Sequence, residues 1–123
     1  MPKIVMIGAG SMVFTKRLIG DILSFPELSD STISLVDIDK RRLDLITQLT
    51  KKMVRQEGGK VRIESTTNRR EVLRGADYVI ITIAIGGLNA YLSDIQIPDK
   101  YGINQNVGDT LGPGGVFRGL RVI

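Results

Sequence analysis

The sequence predicts an α/β fold, a parallel sheet flanked by helices, on three observations. Short apolar runs such as "KIVMIG" and "DYVIITIAIGG" have the pattern of strands buried on both faces, as in a parallel sheet. The segments between such runs carry apolar residues at helical spacing. Strand and helix alternate at an interval that suits right-handed crossovers between parallel strands.

Taken in order, Lys3 to Gly8 is the first strand, ending in glycine. After the "GAGS" turn, "MVFTKRLIGDILSF" places Phe14, Leu18, Ile22 and Phe25 at helical spacing, and Pro26 stops it. The loop "PELSDST" leads to "ISLVDI", a second strand ending in Asp37. "DKRRLDLITQLTKKMVRQE" is helical by period, with Leu43, Ile46, Leu49 and Met53 on one stripe. Asp39 suits its N-cap and Gly58-Gly59 its C-terminal stop. "KVRIEST" reads as a third strand, and "NRREVLRG" as a short helix whose Asn68 and Glu71 have capping-box spacing. "DYVIITIAIGG" is the fourth strand, strongly apolar again. From Leu88 the pattern weakens: "LNAYLSDIQIPDKYG" is compatible with a helix that Pro98 kinks or ends. "INQNVGDTLGPGG" is loop by composition, and "VFRGLRVI" reads as the first turns of a helix.

A chain of 123 residues suits one domain, since single domains cluster around ~100 to 150 residues, so residues 1–123 are read as a unit. Hydrophobic and charged fractions of 42% and 24% are those of an ordinary globular protein. No apolar run approaches the ~18 to 20 residues of a membrane span, and the N-terminus lacks the layout of a signal peptide. The expected compartment is the cytoplasm. With no cysteine and no histidine, the usual ligands of zinc and most transition metals are missing, so no metal site is expected within this chain. The net charge of +4 is spread through helices with acids between, and aromatics make up 5%, which argues against nucleic acid as a partner.

The chemistry starts at "GAGSMV", directly after the first strand and opening a helix. Gly8 allows a tight turn, Gly10 lets backbone approach a pyrophosphate, and Ser11 adds a hydroxyl; the helix N-terminus supplies free N–H groups to the charge. Val13 stands where a dinucleotide fingerprint has its third glycine, whose role is helix–strand packing. Asp37 closes the second strand, where a carboxylate accepts bonds from an adenosine ribose, somewhat further along than the usual ~20 residues. An acid there favours NAD over NADP, because it repels a 2′-phosphate. Its plain alternative is a helix N-cap, a role open equally to Asp39. Gly86 and Gly87, read at the end of the fourth strand, let backbone pass near a cofactor's second ribose or nicotinamide, or form an ordinary turn. "GPGG" before a helix is either another anion-binding N-terminus or a rigid connection. The whole reads as a Rossmann-like domain.

"IGAGS", "LVDID", "IGG" and above all "KYGINQNVGDTLGPGGVFRGLR" resemble the N-terminal region of glycoside hydrolase family 4, over essentially the whole chain. The resemblance implies a fold like that of lactate and malate dehydrogenases, NAD as cofactor, and a divalent metal, manganese, in the full-length enzyme. It implies a hydrolysis outside the common two-carboxylate scheme: NAD oxidises the sugar C3 hydroxyl, a base takes the acidified C2 proton, and the aglycone leaves C1. Water then adds and the hydride returns to C3. Carried onto this chain, Gly8, Gly10 and Ser11 cradle the pyrophosphate, Asp37 holds the adenosine ribose, and Gly86-Gly87 lie on the nicotinamide side. Asp109 matches a position acidic in relatives, in the vicinity of substrate and metal, with Thr110 and Arg118 as further substrate contacts.

Relatives acting on 6-phosphorylated glucosides typically carry glutamate-threonine before the glycine elbow and an earlier arginine for the phosphate. This chain has Asp109-Thr110 and, at the arginine's place, Tyr91. A phosphate dianion without its arginine is poorly bound, which points to the α-galactosidase and α-galacturonidase branch, with a 6-phospho-glycosidase as the alternative. The family's metal-binding cysteine and histidine have no counterpart among these 123 residues. The chain is therefore expected to be an N-terminal, incomplete part of a longer, homo-oligomeric enzyme acting on a small glycoside, and inactive alone. Two other readings are a hydroxyacid-dehydrogenase relative, disfavoured because "GGLNAYLSDIQ" lacks a loop arginine, and a stand-alone nucleotide-binding module.

Overall fold

A computed structural model describes residues 1–58, 60–105 and 111–123. Among the described residues the strands are β1 (Lys3–Ile7), β2 (Thr32–Val36), β3 (Arg62–Thr66) and β4 (Tyr78–Ile81). All pair in parallel, in the order β3-β2-β1-β4. The chain thus builds outward from β1 on one side, then returns to add β4 on the other. That reversal opens a crevice at the carboxyl ends of β1 and β4, the place where ligands bind in open α/β sheets.

Helices α1 (Met12–Ser24), α2 (Lys40–Gln56) and α3 (Arg69–Leu73) connect these strands. Ile4, Met6, Ile33 and Leu35 from the sheet meet Ile19, Leu43, Ile46 and Val54 from α1 and α2 in the main core. Val5, Val36 and Val72 form a smaller cluster on the other face. Burying one such side chain is worth about 1.5–3 kcal/mol, so this one face carries most of the sheet's stability.

Three local readings change. On α1 the buried line runs through Thr15 and Ile19 rather than through Phe14 and Phe25, which are 63% and 55% exposed. A threonine hid the core face from the hydrophobic pattern because its hydroxyl is satisfied inside, donating to the Ala9 carbonyl at 2.8 Å. A 3₁₀ turn, Pro26–Leu28, occupies part of the loop before β2. At the end of β4 the strand stops at Ile81, and Gly86 and Gly87, placed at the strand's end by sequence, instead open a helix. Both glycines have positive φ, 81° and 57°, which turns the chain into the helix; the strand itself ends where its β1 partner does, at the Ile7–Ile81 pair.

The capping expectations on α2 hold: Asp39 accepts from the Arg42 N–H at 3.1 Å, and Gly58 turns the chain with φ 66°. Gly59 lies outside the described residues. Asn68 caps α3 through the Arg70 N–H, while Glu71 takes its bonds from the Asn68 amide and the Thr66 hydroxyl.

Contacts divide the described chain into two units, Met1–Ile83 and Ala84–Ile123. The second is a pair of helices, α4 (Gly87–Asp99) and α5 (Pro113–Val122), so both weakly patterned segments are helical. Pro98 sits inside the last turn of α4, and Pro113 begins α5 three residues before Val116. Proline suits a first helical position, where its missing N–H leaves nothing unpaired.

Candidate functional site

In the first unit the structure brings Gly8, Gly10, Ser11 and Asp37 to the carboxyl ends of β1 and β2. The N–H groups of Gly8 and Ala9 both donate to the Val36 carbonyl at 2.9 Å. The Gly10 N–H donates to Asp37 Oδ2 at 2.7 Å. Three successive amides of the turn are therefore bound to β2 and its end. Ser11 is the N-cap of α1, and its side chain makes no capping bond. The first turn of α1 contains no acid. Among the described residues no acceptor meets the N–H groups of Met12, Val13 and Phe14, so the first-turn amides of a thirteen-residue helix are left unpaired. These amides and the Ser11 hydroxyl, rather than the glycine N–H groups, are the donors available to an anion.

Each glycine is required for a different reason. Gly8 has φ 88°, and a Cβ there would run into the Thr82 carbonyl at the end of β4. Gly10 would place a Cβ 2.6 Å from Asp37 Oδ2. Val13, in the third fingerprint position, is 60% exposed, so its side chain does not press on the sheet.

Asp37 is half-buried and does not cap α2; Asp39 does. Its Oδ1 accepts from the Asp39 N–H at 2.9 Å while Oδ2 takes the Gly10 N–H. A carboxylate has about four acceptor positions. Two remain for a ligand, on a group whose orientation is already set. Thr82, across the crevice, donates its backbone N–H to the Ile7 carbonyl at 2.8 Å and its hydroxyl reaches the Gly8 carbonyl at 3.3 Å.

In the second unit Gly86 caps α4 with a left-handed backbone and Gly87 is its first residue. Asp94 on α4 and Arg121 on α5 form a bidentate pair, with N–O distances of 2.5 and 3.0 Å. The Arg121 guanidinium holds the Asp94 carboxyl below the usual carboxylate range, and Arg118 adds to this; Asp94 in turn raises Arg121. Gly114 lets the helices close up, since a Cβ there would meet the Asp94 carbonyl oxygen. Gln105 accepts from the Gly114 N–H at 2.9 Å, and its amide nitrogen lies where a Cβ on Gly112 would go, at 2.8 Å. The "GPGG" elbow is thus glycine-rich because α4 and Gln105 press against it. A small hollow beside the ion pair is lined by Ala84, Gly87, Tyr91, Arg118 and Arg121. Asp109 and Thr110 lie outside the described residues.

Thr15, Thr82, Asp94 and Gln105 carried no signal in the sequence. Their roles depend on partners distant along the chain or on backbone carbonyls, which no motif encodes. Among the described residues no group of three His, Cys, Asp or Glu is placed to hold a metal ion.

A family model described as family 4 glycosyl hydrolase matches residues 3–123. An α-galactosidase of Rhizobium meliloti (strain 1021) is 46% identical over 121 residues, 98% of this chain and 25% of that protein. An α-galacturonidase of Thermoanaerobacter italicus is 41% identical over 121 residues, covering 98% of this chain and 26% of its own. Among solved structures, the 6-phospho-beta glucosidase from Thermotoga maritima with NAD and glucose-6-phosphate superposes with a TM-score of 0.85 at 28% identity, over 99% of this chain and 28% of that one. The chain spans about a quarter of the length of these relatives.

Proposed function

The chain belongs to family 4 of the glycosyl hydrolases, and from that premise we propose that it is the NAD-binding part of a glycosidase acting on non-phosphorylated α-galactosides or α-galacturonides. The observation that carries this reading is the site in the first unit, where the unpaired first-turn amides of a helix stand beside a half-buried carboxylate with free acceptor positions. The donor set suits a pyrophosphate and the carboxylate suits a ribose diol. The solved relative that carries NAD in the same fold supports the assignment.

In this reading the first-turn amides of α1 and the Ser11 hydroxyl hold the pyrophosphate, and Asp37 orients the adenosine ribose. NAD, when bound, supplies the oxidation at a sugar carbon that makes the neighbouring proton acidic. This chain's contribution to that chemistry is to bind and orient. Among the described residues no group of three His, Cys, Asp or Glu fits a divalent metal. Cleavage belongs to the whole protein, with Asp109, Thr110 and Arg118 proposed beside the sugar. Tyr91 supports an unphosphorylated substrate: it lines the hollow with Arg118 and Arg121, but Arg121 is already neutralised by Asp94. What remains there is suited to a monoanion or a neutral sugar better than to a phosphate dianion.

Calorimetric titration tests the cofactor. NAD binds, and NADP binds more weakly because its 2′-phosphate meets Asp37; Asp37→Ala weakens NAD and narrows the difference. Absence of NAD binding to the wild type overturns the reading. Hydrolysis of nitrophenyl α-galactoside, α-galacturonide and 6-phosphoglucoside by the whole protein tests the substrate class, and preference for the phosphorylated sugar reverses that part.

A further inference from the structure

The Ala9 carbonyl and the Gly10 N–H belong to one peptide plane. Thr15 Oγ1 donates to the Ala9 oxygen at 2.8 Å, and the Gly10 nitrogen donates to Asp37 Oδ2 at 2.7 Å. A single rigid peptide is therefore gripped at its oxygen by α1 and at its hydrogen by the end of β2. Thr15 is 0% exposed, as are Ala9 on one side of the grip and Ile19 a turn further along α1. Thr15 has no role in the dinucleotide fingerprint, and it lies too deep to touch a ligand itself.

We infer that Thr15 is a positioning residue for the dinucleotide, acting on Asp37 through the Ala9–Gly10 peptide. The physical reason is the glycine. With no side chain, Gly10 permits its preceding peptide to rotate by a crankshaft motion more freely than any other residue would. A rotation that carries the N–H away from Asp37 leaves the carboxylate held only by the Asp39 N–H at Oδ1, so that Oδ2 loses the bond that fixes its direction toward the ribose. The Thr15 hydroxyl opposes this rotation: turning the peptide would bury the Ala9 oxygen without a donor, which is costly in a site from which water is excluded. Neighbouring bonds do not replace it, since the Ala9 N–H is engaged by Val36 in the preceding peptide plane. The grip is present before any ligand arrives, so ordering of the turn is not charged against binding.

This inference rests on the proposed dinucleotide site, and its test separates the two. Thr15→Val keeps the shape and removes the hydroxyl; Thr15→Ser keeps the hydroxyl. Expected for Thr15→Val are an NAD dissociation constant raised about tenfold, on the scale of one buried hydrogen bond and its unsatisfied partner, and a smaller NAD-over-NADP preference, because a loosened Asp37 discriminates less. Thr15→Ser restores both. A purely structural role would lower the melting temperature and leave the NAD-to-NADP ratio as in wild type, and that result overturns the inference. Amide hydrogen exchange at Gly10 gives a second measurement, independent of any ligand: Thr15→Val speeds it relative to the core strands, and unchanged exchange also overturns the inference. If the wild type binds no NAD, the proposed cofactor site fails while the exchange measurement still decides what Thr15 does.

Discussion

Gly10→Ala is the most informative single change in the cofactor turn. Gly10 does not have positive φ, so alanine meets no backbone strain there, and the effect of the substitution is steric. The new Cβ would lie 2.6 Å from Asp37 Oδ2, 2.9 Å from Asp37 Cγ and 3.1 Å from Arg42 Cβ. The obstacle is a side chain that can swing away, so the fold yields by moving the carboxylate. Moving it breaks the Gly10–Asp37 bond, a hydrogen bond to a charged group worth about 1.5–3 kcal/mol; the site is only half-buried, so the lower end applies. NAD affinity then falls about tenfold, since about 1.4 kcal/mol corresponds to one decade. Gly8→Ala is the contrasting control. Its φ is 88° and its obstacle is the Thr82 backbone, which cannot move without opening the β1–β4 pairing. Left-handed strain of about 1–2 kcal/mol adds to overpacking of about 1–3 kcal/mol, so Gly8→Ala loses stability first. The assay pairs calorimetric titration of NAD with urea denaturation for both variants and for Asp37→Ala. A double-mutant cycle sharpens it: in the Asp37→Ala background the clash with the carboxylate is gone and only the 3.1 Å contact with Arg42 Cβ is left, so the stability cost of Gly10→Ala shrinks. Wild-type NAD affinity in Gly10→Ala would mean that the Gly10–Asp37 bond does not shape the site, and equal stability losses for Gly8→Ala and Gly10→Ala would mean that the two glycines are not needed for different reasons.

Two further outcomes concern the second unit. Gly114→Ala drives a Cβ into the Asp94 carbonyl oxygen and forces α4 and α5 apart, at about 1–3 kcal/mol; amide exchange slowed in α5 of the wild type becomes faster in the variant, and unchanged protection contradicts this. The Asp94–Arg121 pair makes the α4–α5 contact acid-sensitive. Because the folded-state carboxyl titrates below its ordinary value of 3.8, the pair stabilises fully above that value and is lost as pH falls through the folded one. Exchange rates in α4 and α5 measured from pH 6 downward should rise below about pH 4 in the wild type, and Asp94→Asn should remove that acid limb. An acid limb of the same size in the variant assigns it elsewhere.

Much of the first unit was legible because it is built from local rules. Continuous apolar runs mark the strands and a 3.6-residue period marks α2, and Asp39 and Gly58 mark that helix's ends, since caps need particular side chains at fixed offsets. Legibility failed where partners come from elsewhere in the chain. Phe14 and Phe25 read as core by hydrophobicity, while Thr15 takes the core position by giving its hydroxyl to a carbonyl. "DYVIITIAIGG" reads as one long strand because an apolar run does not show where pairing ends; β4 stops at Ile81 because its partner β1 ends opposite it at Ile7.

By itself the sequence determined the element order, the parallel sheet, the glycine turn after β1 and the acid after β2, because each follows from side chains within a few residues of one another. Only the tertiary structure decided what those groups do. It assigned Gly10 to Asp37 rather than to open space, put Asp39 at the cap, gave Asp37 two backbone N–H donors instead of a capping role, and turned the glycine elbow into a close contact with Asp94 and Gln105. Hydrogen-bond partners and steric neighbours are set by the path of the whole chain. No local pattern carries that information.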